Sequence, residues 1–221
     1  MIAIDGPAGA GKSTVAQKLA EKLGFVLVDT GALYRGVALV AREQGISWSD
    51  AARLGELTAR LDLRFEASEV GAAPRLLIEG RDRSADIRTP EISMGASDVS
   101  KHEPVRDALL ELQRRLGRDG GVVLEGRDIG TVVFPDAEAK IFLTAAAETR
   151  AARRVLDLEE RGLPASFSQT LAEIQARDAQ DSQRPVAPLK PADDAITLDT
   201  TDLDIDAVVA RLAELARAKG A

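Results

Sequence analysis

Five short runs rich in Ile, Val and Leu punctuate the chain, at Ile2 to Asp5, Phe25 to Asp29, Val122 to Glu125, Lys140 to Leu143 and Ala195 to Leu198. Their apolar positions are nearly continuous, the pattern of a strand covered on both faces in a parallel sheet. Between them the period changes. Val15, Leu19 and Leu23 recur every four residues before Gly24, and Ile205, Val208, Val209, Leu212 and Leu215 mark a C-terminal amphipathic helix. Strands alternating with helices predict an α/β fold.

Two stretches break the rhythm. From about Asp62 to Thr89, Leu63 and Phe65, then Leu76 and Ile78, alternate around Gly71 and Pro74, which predicts a small antiparallel insertion. From Ala151 to Arg184 the chain is charged and helical, with Gly162 and Pro164 at its middle, which predicts two helices joined by a mobile turn. The whole chain, 1–221, is expected to form one domain carrying these two parts.

Of the 221 residues, 45% are hydrophobic and 29% charged, as in ordinary globular proteins. Asp5 and Lys12 interrupt the N-terminal apolar stretch and no later run is long enough to span a bilayer, so a cytoplasmic protein without a leader or membrane contact is expected. The absence of cysteine removes disulfides and thiolate metal sites, and the single His102 leaves oxygen ligands and a hard cation such as Mg²⁺. His102 stands far from any motif and is expected at the surface. A net charge of −7 argues against nucleic acid as a partner, because backbone affinity comes from accumulated Lys and Arg. A small anionic ligand would need locally clustered arginines instead.

The strongest motif follows the first strand. Gly6, Gly11, Lys12 and Ser13 match GxxxxGK[ST] between a predicted strand and a predicted helix. Gly9 and Gly11 allow backbone angles that turn successive N–H groups around phosphate oxygens, so Gly6, Pro7, Ala8, Gly9, Ala10, Gly11, Lys12, Ser13 and Thr14 form the candidate ATP site. The following helix adds its positive end. Lys12 is expected on the β and γ phosphates and Ser13 on Mg²⁺.

Other candidates lie beyond the ends of predicted strands, where open α/β sheets bind ligands. Thr30 is placed to cap the helix after the second strand, with Arg35 one turn on. Glu125, Arg127 and Asp128 follow the third strand. Arg177, Asp181 and Arg184 share one helix face, and Arg150, Arg153 and Arg154 form a second cluster; solvated ion pairs account for either spacing taken alone. Beside a phosphate loop in an acidic chain, both become candidate anion contacts.

Several blocks in one order, DGPAGAGKST (5–14), DTGALYR (29–35), EGRDIGTVVFPDA (125–137), KIFL (140–143), RDAQDSQR (177–184) and APL (187–189), resemble bacterial cytidylate kinases along nearly the whole chain. The resemblance implies a P-loop kinase with a five-stranded parallel sheet flanked by helices, an NMP-binding insertion at about 62–89 and a short helical lid at about 151–184. It implies transfer of the γ-phosphoryl group of ATP to CMP, and to dCMP; a monomer is expected. Arg35, Arg127 and Arg184 would hold the acceptor phosphate. Ser97, Arg106 and Asp128 would read the cytosine, Arg177 and Asp181 would lie near ribose and phosphates, and Arg153 would meet ATP from the lid. Because the acceptor brings its own anionic oxygen, no side-chain nucleophile is needed, and Lys12, Mg²⁺ and the arginines would neutralise charge while Glu125 orients a metal-bound water. The alternatives are another small acceptor, such as AMP, UMP or shikimate, or a regulatory P-loop NTPase. No guanine-reading Asn-Lys-x-Asp sequence supports the last of these.

Overall fold

The computed structural model describes residues 1–66, 74–160 and 162–220. Gly71, part of the expected turn in the insertion, lies outside the described residues. The chain runs β1 (Ile2–Asp5), α1 (Lys12–Leu23), β2 (Val26–Asp29), α2 (Thr30–Glu43) and α3 (Ala51–Arg60), then β3 (Leu63–Glu66), β4 (Arg75–Ile78) and β5 (Arg81–Asp82). It continues through α4 (Pro90–Val99), α5 (Glu103–Gly117), β6 (Val122–Gly126), β7 (Ala139–Thr144), α6 (Ala147–Glu160), α7 (Phe167–Gln183), β8 (Ile196–Asp199) and α8 (Ile205–Ala218).

The main sheet has the order β2-β6-β1-β7-β8, and every pair is parallel. The five expected strands are these five, with no end displaced by more than one residue. Side chains of β1 alternate between faces. Ile2 and Ile4 join Val15 and Leu19 of α1 and Val208 and Leu212 of α8 in one core, while Ala3 joins Val28, Leu124 and Ile129 on the other face. At the centre of the sheet both faces are covered, which is why its runs are continuously apolar.

A third core lies beside the sheet, where α2, α3, α4 and α5 bury Leu33, Leu39, Leu54, Ile92 and Leu109. The antiparallel sheet β3-β4-β5 leans on it. Gly36 of α2 makes room, since a Cβ there would lie 3.2–3.3 Å from methyl groups of Leu63, Leu76 and Ile78. The charged stretch folds as the helical pair α6 and α7, packed against each other, and Gly162 takes the left-handed conformation just after α6. Among the described residues no helix is long and apolar enough to cross a membrane.

His102 departs from expectation. It is half-buried at the start of α5, with Nε2 2.8 Å from the carbonyl oxygen of Trp48. Trp48 is also held from the other side, its Nε1 donating to the Ala38 carbonyl at 3.0 Å. The indole thus lies between α2 and the junction of α4 with α5. It presses on Gly95, where an added Cβ would stand 2.4 Å from the ring.

A Gly95→Ala substitution therefore sets two effects against each other. Alanine gains up to about 1 kcal/mol of helix propensity, but the anchored ring cannot move aside, and overpacking costs typically about 1–3 kcal/mol. We expect net destabilisation, read as a lowered urea midpoint with an unchanged m-value; a midpoint at or above that of the wild type would show that Trp48 is free to yield.

Candidate functional site

The phosphate-loop residues form the turn between β1 and α1. Gly6, Gly9 and Gly11 have φ of 148°, 75° and 85°. Gly6 serves the scaffold as well, because a Cβ there would stand 2.0 Å from the carbonyl oxygen of Leu143 on β7. No side chain caps the N-terminus of α1, so its first N–H groups remain available to an anion. Lys12 is buried, and its Nζ donates to the Pro7 carbonyl at 2.7 Å. Burial, followed by the Arg127 charge, lowers its pKa well below the ordinary lysine range. A polyphosphate would supply the counter-charge this ammonium lacks.

Across the loop, α2 begins differently from expectation. Asp29, not Thr30, caps it, accepting from the Ala32 N–H at 3.0 Å, and the other Asp29 oxygen takes Arg35 at 2.6 Å. The Thr30 hydroxyl instead donates to the Glu125 carbonyl at 2.7 Å, tying β2 to β6 at the rim. The carboxylate has the better geometry for the cap and is favoured at the positive end of a helix.

Beyond β6, Arg127 and Asp128 meet residues brought in by α4, α5 and α7. Asp128 is buried between two guanidiniums, one oxygen on Arg106 and the other 3.3 Å from Arg184. Arg106 also lies over the Tyr34 ring, 5.7 Å from its centroid. Asp181 accepts from Arg127 Nε at 3.0 Å and from the Ser97 hydroxyl at 3.3 Å, with Arg177 at 4.0 Å. Burial alone would raise the Asp181 pKa, but Arg127 and Arg177 outweigh it and hold the carboxyl below its usual range. Arg177 is itself pushed down to about 10 by burial and then by Arg127.

All these groups face one cavity of about 560 Å³, lined by residues 8–15 of the loop and helix, by Thr30, Arg35, Ser97, Arg106, Arg127, Asp128, Arg177, Asp181 and Arg184, and by Arg153. Of the expected site residues, Gly6 and Pro7 lie behind the cavity wall. Arg153 faces the cavity while also held by Thr200, its Nη2 2.6 Å from that carbonyl. Arg150 is not solvated: it is buried, bonded to the Ala8 carbonyl and paired with Asp178. Sequence reasoning also missed Asp5, whose carboxylate accepts from the Ile129 and Gly130 N–H groups at 2.8 Å each and so fixes the turn after Asp128. Its signal was a carboxylate inside an apolar strand. Burial raises the Asp5 pKa to about 6.

The residues near Lys12 suit a hard cation. One Glu125 oxygen is buried with no hydrogen-bond partner, the Ser13 hydroxyl interacts with this carboxylate, and Asp29 is close enough to raise its pKa. Among the described residues no group of three or more acidic or histidine side chains forms a chelating cage, so an ion here would share its ligands with water and phosphate.

A family model described as cytidylate kinase matches residues 2–218. A cytidylate kinase of Geobacter sp. (strain M21) is 52% identical over 209 residues, 95% of this chain and 89% of that one. The cytidylate kinase of Exiguobacterium sibiricum is 52% identical over 215 residues, 97% of this chain and 96% of that one. Among solved structures, an uncharacterized protein from Eubacterium ventriosum aligns over 98% of this chain and 97% of its own with a TM-score of 0.51 at 14% identity, a likeness of fold alone.

Glu125 carries a consequence for pH. Burial, and then Asp29, raise its pKa in the folded chain well above 4.5. A carboxyl raised by folding stabilises the folded state below its unfolded pKa and loses that contribution as pH climbs through the folded one. Relative to wild type, metal-free Glu125→Gln should therefore gain stability as pH rises from about 4.5 towards neutrality, at no more than about 1.4 kcal/mol per pH unit. Parallel stability curves for the two proteins across that interval would disprove the shift.

Proposed function

The chain belongs to the cytidylate kinase family, and we infer that it transfers the γ-phosphoryl group of ATP to CMP, giving CDP and ADP. The observation that supports this assignment most directly is that one cavity joins a phosphate-binding loop to a second, arginine-lined anion site. A regulatory NTPase needs only the first. We extend the reading to dCMP, and to Ser13 and Glu125 as residues that would hold Mg²⁺, directly or through water.

In the proposed arrangement, the loop from Gly6 to Thr14 takes the ATP phosphates, with backbone N–H groups and Lys12 directed at the β and γ positions. Arg35, Arg127 and Arg184 hold the acceptor phosphate, while Arg177 and Asp181 face ribose and phosphate. Ser97, Arg106 and Asp128 read the base. Lys12, Arg127, Arg153 and Arg184 carry the charge that develops on the transferring group, an effect that requires fixed donors more than new bonds. Mg²⁺, when bound, supplies further neutralisation of the phosphate oxygens. The CMP phosphate oxygen attacks the γ-phosphorus and ADP leaves with the electron pair of the broken P–O bond. We assign 62–89 as the NMP-binding subdomain and 151–184 as the lid, whose closure over Gly162 would exclude water from the reaction.

Asp128 is the most direct test of acceptor identity. An ionised carboxylate only accepts, so it favours the 4-amino group of cytosine and disfavours the 4-carbonyl of uracil. Asp128→Asn keeps the shape between Arg106 and Arg184 but adds a donor. We expect kcat/KM for CMP to fall by roughly 10- to 150-fold, the equivalent of one charged hydrogen bond, and for UMP much less. Equal losses for both acceptors in a coupled ADP assay would remove Asp128 from base recognition. Lys12→Ala should lower kcat by roughly 10² to 10³-fold with the fold retained; near-normal turnover at saturating ATP would count against Lys12 acting on the phosphates.

A further inference from the structure

Arg150 is assigned to neither substrate and does not line the cavity, yet it is only 5% exposed. A guanidinium leaves water only where a carboxylate and hydrogen-bond acceptors compensate it. Each of its three nitrogens has such a partner. Nε donates to the Ala145 carbonyl just beyond β7 at 2.8 Å, Nη1 to the Ala8 carbonyl in the phosphate loop at 3.0 Å, and Nη2 lies 2.7 Å from Asp178 Oδ2 on α7. The Asp178 side chain is itself half-buried, and its other oxygen is inaccessible with no hydrogen-bond partner, so Arg150 is the partner that orients this carboxylate.

The contact with Ala8 determines which way a peptide faces. No peptide bond in the described residues is cis. In a trans peptide the C=O and the following N–H lie in one plane and point in opposite directions. With the Ala8 oxygen drawn towards α6, the Gly9 N–H is turned to the opposite side of the plane. The reversed plane would present a carbonyl oxygen where the loop must present donors. Gly9, at φ 75°, has the backbone freedom to permit such a flip, and its Cα is packed so that an added Cβ would come within 3.1 Å of Arg150 Cβ. Lys12 grips the neighbouring Pro7 carbonyl, but that ammonium is the one a polyphosphate claims. Arg150 is the grip that no substrate competes for.

We propose that Arg150, oriented by Asp178, is a positioning residue that holds the Ala8–Gly9 peptide in the anion-binding orientation and thereby sets affinity for the donor polyphosphate. The inference rests on the reading that this loop receives ATP. The same grip ties the phosphate loop to α7, since Arg150 bonds Ala8 on one side and Asp178 on the other.

The test measures binding of ATP, inorganic tripolyphosphate and CMP by calorimetry to the full-length wild type, Arg150→Met, Arg150→Lys and Asp178→Asn, with thermal melting to confirm folding. Arg150→Met should weaken ATP and tripolyphosphate together, by roughly tenfold or more, and leave CMP within about twofold. Arg150→Lys should recover part of that affinity, and Asp178→Asn should shift it in the same direction by less. The double variant Arg150→Lys/Asp178→Asn should lose less than the product of the two. Unchanged tripolyphosphate affinity in the folded variants would overturn the proposal, as would an equal loss of CMP and ATP, the mark of general loosening. If Arg150→Met does not fold, Arg150→Lys and Asp178→Asn decide by the same criteria. A wild type that binds CMP but neither ATP nor tripolyphosphate would overturn the donor reading itself, and the inference with it.

Discussion

Like charges repel, and this chain must gather seven arginines around one cavity while carrying a net charge of −7. Two unit charges 4 Å apart interact by about 4 kcal/mol at the effective dielectric of a protein surface. Such a cluster cannot wait for substrate to assemble it. The structure resolves the difficulty with carboxylates between the guanidiniums: Asp29 on Arg35, Asp128 between Arg106 and Arg184, Asp181 against Arg127 and Arg177. These aspartates give the arginines fixed directions before any ligand arrives. A phosphate entering the cavity would meet donors already aimed, with little reorganisation left to make.

Much of this was legible in the sequence because it is local. The phosphate loop is a contiguous motif with its strand and helix on either side, and the five strands declare themselves by apolar continuity. What was not legible depends on distance in space. Arg150 reads as one more cation on an amphipathic helix until folding places Ala8 and Asp178 against it. Thr30 and Asp29 are both good caps, and only the approach of the Glu125 carbonyl sends the hydroxyl elsewhere. His102 had no sequence partner because its partner is a backbone oxygen of Trp48. Family resemblance brought Ser97 and Arg106 into view, whereas residue pattern alone does not distinguish them from core and surface positions.

The arrangement of cores explains how the site is divided. The loop and Lys12 rest on the core between the sheet and α1 with α8, while Tyr34, Ser97 and Arg106 project from helices that pack in the core beside the sheet. The strand β6 lies between them, and its end supplies Glu125 towards the loop and, one step on, Arg127 and Asp128 towards α7. Asp5 at the end of β1 holds the turn that follows. The phosphate loop and the arginine cluster are thus joined through the parallel sheet.

The N-terminus of α1 has no side-chain cap, as is also true of α5 and α7, whereas α2, α3, α4 and α8 are capped by Asp29, Asp50, Thr89 and Asp204. A cap is ordinarily worth about 1 kcal/mol to a protein. A phosphate bound to these N–H groups would complete the helix, so folding and occupancy would share a free energy. Ligand at a hundred times its dissociation constant adds about 2.7 kcal/mol to the folded state. A polyphosphate seated on this turn would thus fasten the first helix to its strand as well as fill the cavity, one free energy serving both ends.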